Sequence, residues 1–240
     1  SSLPLLWSSQ TYWRTLSSMI MKLSENTFQV LKNFSNINNS ITVKSGSTLR
    51  TVSVAENILA VAEVQEEFPQ DFSIYDLTEF ISGLYIPSMR DPEFSFGNDK
   101  YVQIKKDNFS LKYFFADPSL IKQPPENDIK MDEDIKFSLS SDNLETLQRA
   151  ASVYQLPDLT VIGDGENIIV SVRDKENDTS NAFSITVGET DDEFVLNLKV
   201  ENVRIMKGDY DVIMSKRLIS KFINKKIPLT YWIALEPDSN

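Results

Sequence analysis

The chain has 240 residues, of which 41% are hydrophobic, carries a formal net charge of −11, and contains neither cysteine nor histidine. Those absences exclude disulfides, thiolate nucleophiles, Cys/His zinc sites and Ser-His-Asp triads. A chain this acidic repels nucleic acid on average, so any contact with DNA requires a local basic strip. The length allows two domains of ordinary size. No apolar run approaches the roughly 20 residues that cross a bilayer, so we expect no membrane partner.

The first twenty residues differ from the rest, because they are rich in serine and contain no carboxylate. Their apolar run, Leu3 to Trp7, is too short for the core of a signal peptide. We interpret residues 1–20 as an N-terminal appendage outside the fold, with Met21 as the natural start. The alternative is a peptide that docks onto a partner through its aromatic side chains.

The first half of the chain carries two helical patterns and six β patterns. Residues 24–36 predict an amphipathic helix, since apolar side chains recur at three-residue spacing. A second helix is predicted from Ser73, which has capping-box spacing with Asp76, to about Tyr85. Alternating segments predict strands at 40–44, 49–54, 58–64, 93–96, 101–105 and 110–115.

The second half repeats this order after a segment rich in proline and acidic residues. That segment, residues 117–134, predicts a connector between two domains, residues 21–116 and 135–240. A third helix is predicted at residues 140–154 and a short fourth helix at residues 199–206. Strands are predicted at 159–162, 168–172, 183–187, 194–198, 210–214, 218–223 and 229–235. Such a duplication favours an architectural role over a catalytic pocket.

Two motifs could carry chemistry. Acidic runs at residues 132–134 and 191–193 offer oxygen ligands for Mg²⁺ or Ca²⁺, but they lie in predicted turns or in the connector, where solvated charge is ordinary. Gly163 and Gly165 precede a strand rather than a helix, so they predict a hairpin and not a phosphate-binding loop. We therefore predict no metal site and no cofactor.

Six cations lie on or beside the predicted helices, away from their apolar stripes. They are Lys22, Lys32, Arg149, Lys199, Arg204 and Lys207. Each is either an ordinary solvated residue or, if the helices of both domains share one side, part of a basic strip for DNA. The residues alone leave both interpretations open.

Five short segments, taken in order, carry a family resemblance. They are Met21-Lys22-Leu23-Ser24, Leu31-Lys32-Asn33-Phe34, Tyr75-Asp76-Leu77, Lys207-Gly208-Asp209-Tyr210 and Tyr231-Trp232-Ile233-Ala234-Leu235-Glu236-Pro237-Asp238-Ser239. Together they resemble the sliding clamps of T-even-type bacteriophages, the processivity factors of the phage DNA polymerase. The resemblance covers Met21 to Asn240.

The resemblance implies an α+β fold of two similar clamp-type domains, with helices on one face and antiparallel sheets on the other. It implies a ring of three chains in which the six cations face duplex DNA. The implied subunit interface comprises Ser110, Leu111, Tyr113, Phe115, Phe183, Ile185 and Val187. The implied pocket for a partner peptide comprises Leu120, Ile121, Leu235 and Pro237.

The implied function is to encircle duplex DNA without reading its sequence and to tether the replicative DNA polymerase. The implied partners are DNA, the polymerase, a clamp loader and two further copies of the chain, in the cytoplasm of an infected bacterial host, with no catalysis. Two alternatives remain: a metal-dependent hydrolase with an acidic site, and a structural or carbohydrate-binding phage protein of two β-rich modules. The second helix departs from a basic lining, because it offers Asp76 and Glu79 but no cation.

Overall fold

The computed structural model describes residues 19–240, which form two compact units. Unit 1 contains the described residues up to Thr51 together with Glu63–Gln123, and unit 2 contains Val52–Ala62 together with Pro124–Asn240. Residues 1–18 of the predicted appendage lie outside the described residues. Its last residue, Ile20, takes part in the fold, because it pairs with Ser95.

Unit 1 carries two helices and most of the first series of strands. Its helices are α1 (Glu25–Ile37) and α2 (Leu77–Gly83), with 3-10 turns at Pro87–Met89 and Pro118–Leu120. Its strands are β1 (Ile20–Met21), β2 (Ile41–Val43), β3 (Gly46–Val52), β5 (Phe72–Ile74), β6 (Glu93–Ser95), β7 (Tyr101–Lys106) and β8 (Phe109–Phe114). A four-stranded antiparallel sheet has the order β1-β6-β7-β8, and β2 pairs with β5. Strand β4 (Ile58–Phe68) begins in unit 2 and ends in unit 1.

Helix α1 confirms the first predicted helix. The Ser24 hydroxyl accepts the N–H of Thr27 at 3.2 Å, as an N-cap residue does. The carboxylate of Glu66 accepts the N–H of Ser24 itself at 3.2 Å. Leu31 and Phe34 are buried on the inner face of the helix. The local cap and the apolar spacing therefore set both the start and the orientation of α1.

The start predicted for the second helix is wrong. Ser73 lies in strand β5, where its buried hydroxyl is 2.8 Å from that of Thr42 on β2. The N-cap of α2 is Asp76, whose carboxylate accepts the N–H of Glu79 at 3.0 Å. Pairing with a distant strand therefore outweighs the capping-box spacing.

Unit 2 carries the third helix and the second series of strands. Helix α3 spans Ser141–Val153 and confirms the prediction, with Ser140 as its N-cap. The strands are β9 (Ile135–Leu139), β10 (Asp158–Asp164), β11 (Asn167–Arg173), β12 (Phe183–Glu189), β13 (Glu193–Lys199), β14 (Tyr210–Ser215), β15 (Ile219–Asn224) and β16 (Leu229–Ala234). One sheet has the order β12-β11-β10-β13, and in the other β9, β14, β15, β16 and the first half of β4 follow one another.

The predicted fourth helix is wrong, because Lys199 ends β13, Val200–Asn202 form only a 3-10 turn, and residues 203–206 have no regular secondary structure. A helix would use the N–H of Met206 internally. Instead that N–H donates to the hydroxyl of Tyr231 at 3.1 Å, and the hydroxyl of Tyr210 donates to the Met206 carbonyl at 2.6 Å. The β-branched Val203 and Ile205 also disfavour a helix.

The predicted duplication is visible in the order of the elements. The first series runs β1, α1, β2 to β5, α2, β6 to β8, and the second runs β9, α3, β10 to β13, the 3-10 turn, β14 to β16. The correspondence extends to pairing, because the order β1-β6-β7-β8 matches β9-β14-β15-β16. By this correspondence β4 matches β12, and β8 matches β16.

Candidate nucleic-acid interface and assembly edges

In unit 2, predicted DNA-facing cations lie around the exposed side of α3 and the segment 203–207 beside it. The amide of Gln148 donates to the carbonyl of Val203 at 3.4 Å, and Lys207 Nζ lies 3.4 Å from a carboxylate oxygen of Glu145. Arg149 is exposed on the same helix. The turn of α3 that carries Arg149 and the segment that carries Lys207 are therefore neighbours in the fold.

Two buried tyrosines hold that segment in place. Tyr210 and Tyr231 are fully buried, and their rings lie 6.2 Å apart. Burial raises the pKa of Tyr210 to about 12 and also raises the pKa of Tyr231, so both hydroxyls stay protonated at neutral pH. Because they bond both backbone groups of Met206, they fix the chain between Val203 and Lys207.

We expect Tyr231→Phe to lower the free energy of unfolding by about 1 to 3 kcal/mol, because the N–H of Met206 then lacks its acceptor. Urea-induced unfolding, followed by circular dichroism, measures the change. The matched control is Tyr154→Phe at a residue that is 53% exposed, and we expect it to change stability by less than about 0.5 kcal/mol. Equal effects of the two substitutions would contradict the role of Tyr231.

The remaining predicted cations of unit 2 have local partners. Lys199, at the end of β13, lies 3.6 Å from a carboxylate oxygen of Glu236. Arg204 is exposed, and its Nε donates to the carbonyl of Glu201 at 2.8 Å. A contact of Lys199 with phosphate therefore competes with Glu236.

In unit 1, Lys22 and Lys32 both lie beside the segment that follows α2. Lys22 Nζ lies 3.3 Å from a carboxylate oxygen of Asp91. Lys32 Nζ donates to the hydroxyl of Tyr85 at 3.2 Å and lies 5.4 Å from the centre of that ring. Sequence reasoning missed Tyr85 as a neighbour of these cations, although an aromatic residue two positions before a helix-stopping proline was a usable signal.

Tyr85 also lines a cavity of about 530 Å³ beside the start of α1. Phe28 packs edge-on against Tyr85 with the ring centres 5.3 Å apart. Arg90, another residue that sequence reasoning missed, lines the same cavity and is exposed. The surface beside α1 therefore offers an exposed cation that α2 does not supply.

Strands β8 and β12 are outermost in their sheets within the described part of the chain. On β8, Phe109, Leu111 and Phe114 are 50%, 36% and 66% exposed. On β12, apolar residues alternate with the exposed Ser184 and Thr186. Exposed apolar strands at a sheet edge are ready to pair with another chain.

The predicted interface residues of β8 do not all share one environment. Tyr113 is half-buried, and its hydroxyl donates to Glu79 Oε1 at 3.2 Å. Burial, together with the Glu79 carboxylate, raises the pKa of Tyr113 to about 12, so the hydroxyl remains a donor. Phe115 lies just beyond β8 and packs on Phe72 with the ring centres 5.4 Å apart. Leu111 and Ser110 are exposed.

The predicted residues of the peptide pocket belong to different units. Leu120 is 67% exposed and Ile121 is buried in unit 1, whereas Leu235 is buried and Pro237 is exposed in unit 2. The pocket therefore stays a prediction.

The first acidic run has cationic or backbone partners. Asp132 lies 3.2 Å from Arg217 Nε, and Glu133 lies 3.0 Å from Lys136 Nζ. Asp134 accepts the N–H of Lys216 at 2.8 Å. Within residues 19–240, no three acidic side chains form a group that could hold a metal ion. Among the same residues, no helix has the length and apolar character to cross a bilayer.

Solved structures of similar architecture identify the fold. The chain aligns with PCNA from A. fulgidus with a TM-score of 0.69 and 13% identity, covering 92% of this chain and 99% of that one. PCNA from Entamoeba histolytica gives a TM-score of 0.68 and 11% identity, covering 91% and 99%. The fold is therefore the α+β clamp fold, built from two similar domains.

Sequence relatives then give the family. A model described as DNA polymerase processivity factor matches residues 22–121, and one described as gp45 sliding clamp, C terminal, matches residues 136–237. The sliding clamp of Vibrio phage KVP40 is 31% identical over 90% of this chain and 99% of its own length. The sliding clamp of Enterobacteria phage T4 is 28% identical over 91% of this chain and 98% of its own length. The chain belongs to the sliding clamp family of DNA polymerase processivity factors.

Proposed function

We propose that this chain is one subunit of a homotrimeric ring that encircles duplex DNA and holds the replicative DNA polymerase on its template. The observation that carries the proposal is the match to sliding clamps across both halves of the chain. Residues 21–116 and 135–240 are the two clamp domains, and residues 117–134 connect them.

The internal repeat supports ring closure through strands β8 and β12. Within unit 2, β16 pairs antiparallel with the first half of β4, from Ile233 opposite Ile58 to Leu229 opposite Ala62. Strands β8 and β12 are the counterparts of β16 and β4, and both are outermost in their sheets among the described residues. Pairing β8 of one chain with β12 of the next repeats an arrangement that the chain already forms once.

The charge distribution suits a ring that slides. The net charge of −11 opposes general binding to DNA, so the duplex is held by enclosure rather than by a strong phosphate clamp. Lys22, Lys32, Arg149 and Lys207 sit on or beside α1 and α3, the long helices of the two series. A few mobile ionic contacts lower the repulsion without fixing a position along the DNA.

This role needs no catalysis, because topological linkage alone slows dissociation. The polymerase binds the ring through a short peptide near Leu120, Ile121, Leu235 and Pro237, and a clamp loader opens the ring, in the cytoplasm of the infected bacterium. Peptide binding has a parallel in a protein with this fold, since the PCNA of A. fulgidus is seen bound to the C-terminal region of FEN-1.

Native mass spectrometry tests the ring. We expect an assembly of three times the 27.4 kDa mass of one chain, because each chain offers one β8 edge and one β12 edge and such head-to-tail contacts can close into a ring. A monomer at micromolar concentration would contradict the proposal.

A further inference from the structure

The segment Glu236–Asn240 lies along the outer edge of β13. The N–H of Val195 donates to the carbonyl of Asn240 at 2.9 Å, and the N–H of Asn240 donates back to Val195 at 2.7 Å. The N–H of Glu236 donates to the carbonyl of Asn197 at 2.8 Å. The N–H of Asn197 donates to the hydroxyl of Ser239 at 2.8 Å. The outward backbone groups of Val195 and Asn197 therefore all have partners.

Polar side chains fasten this segment. Asp238 lies 2.7 Å from Lys175 Nζ, and Glu236 lies 3.6 Å from Lys199 Nζ. The buried side chain of Asn197 donates to Asp238 at 3.4 Å. None of the residues from Glu236 to Asn240 is a buried apolar anchor. Ion pairs and hydrogen bonds, rather than hydrophobic packing, therefore hold the segment on β13.

The opposite edge of the same sheet differs. The sheet has the order β12-β11-β10-β13, so β12 and β13 are its two ends. Segment 236–240 covers β13, whereas β12 is the edge left for another chain in the described structure. A sheet that is open at both ends can add a strand at either one, and such contacts need not close into a ring.

We propose that residues 236–240 are an edge guard: they close β13 so that the sheet of unit 2 extends only through β12. The identity of the β12 partner rests on the proposed function, but the guard itself does not. A chain without the guard exposes a second strand edge, and this edge adds further copies outside the ring.

The double variant Glu236→Lys with Asp238→Lys tests the guard in the full chain, because it places lysines against Lys199 and Lys175. The matched control is Asp132→Lys with Asp211→Lys, which changes the net charge equally and disturbs exposed ion pairs with Arg217 and Lys225. A third chain that ends at Leu235 removes the guard completely.

Residue-resolved amide exchange gives the first readout. In the guard variant we expect the amides of Val195 and Asn197 to lose protection at least about tenfold, because their acceptors lie in the guard. Leu196 and Leu198 should keep their protection, since these alternate residues of β13 face β10. The control variant should match the wild type at all four positions.

Sedimentation velocity gives the second readout. We expect both guard variants to form assemblies larger than the wild type, with a size that grows with concentration. Unchanged protection of Val195 and Asn197 in both guard variants overturns the inference, and so does lost protection without larger assemblies. The mass of the wild-type assembly tests the ring separately. If the wild type is a monomer and the guard variants still form larger assemblies, the ring is contradicted and the guard is supported.

Discussion

The single variants Leu111→Asp on β8 and Ile185→Asp on β12 are expected to be monomers under conditions in which we expect the wild type to form the proposed ring. Leu111 is 36% exposed on an outermost strand, and Ile185 is half-buried on another. Pairing of the two edges would cover both side chains, and a carboxylate there loses its hydration without gaining a partner. A cost of about 3 kcal/mol per interface raises the dissociation constant by about two orders of magnitude.

A mixture of the two variants tests directly whether β8 of one chain pairs with β12 of another. The Ile185→Asp chain keeps an intact β8, and the Leu111→Asp chain keeps an intact β12, so together they can form one good interface. The expected product is a heterodimer that cannot close, because its two free edges both carry aspartate. Because leucine and isoleucine are isomers, the two variant chains have the same mass, so one of them is labelled with ¹⁵N before native mass spectrometry identifies the heterodimer.

The control for both variants is Val54→Asp, which adds the same charge at an apolar residue that is 75% exposed and lies outside β8 and β12. We expect it to assemble like the wild type. Trimers from either edge variant, or the absence of a heterodimer in the mixture, would contradict pairing through these strands.

The second large effect is expected on the length of the DNA that the polymerase synthesises, and not on the assembly of the ring. Charge reversal at Arg149 together with Lys207 should shorten polymerase products on primed circular DNA by at least about tenfold, since repulsion replaces attraction at two positions in every subunit. The native mass should stay that of the wild type, because both side chains are exposed and lie outside β8 and β12.

The matched control reverses Lys216 and Arg217, two exposed cations in the turn after β14, at the end of that strand opposite Tyr210. It changes the net charge equally, so it separates a local effect from the effect of total charge. Equal losses in both double variants would remove Arg149 and Lys207 from the proposed DNA interface.

Local signals predicted the long helices well. Ser24 caps α1 and Ser140 caps α3 through hydrogen bonds that span only three residues, so the sequence within one turn contains the cause. The start of α2 failed because Ser73 pairs with Thr42, which lies 31 residues earlier. The fourth helix failed because Tyr231, 25 residues away, binds the backbone of Met206.

The candidate sites, like the helices, were predictable only where the signal lies in residues that are close in sequence. The duplication was visible as repeated patterns, but no residue pattern indicated which strands would be outermost, and the resemblance alone supplied β8 and β12. The guard on β13 could not be predicted from the sequence either, because Asp238 pairs with Lys175, which lies 63 positions earlier in the chain. Tyr85 and Arg90 were missed because exposed residues after a helix carry no periodic signal, and the one usable signal was the position of Tyr85 shortly before Pro87.

The division of the chain between the two units limits how the protein can be dissected. Val52–Ala62 belongs with Pro124–Asn240, although the whole of Glu63–Gln123 separates them along the chain. A fragment that starts at Pro124 would leave Trp232 and its strand without the neighbour that Leu59 provides. During synthesis residues 52–62 leave the ribosome long before their partner strand β16 exists, so unit 2 completes its fold only when β16 emerges. Isolated halves should therefore be prepared with residues 52–62 supplied as a fused or added peptide.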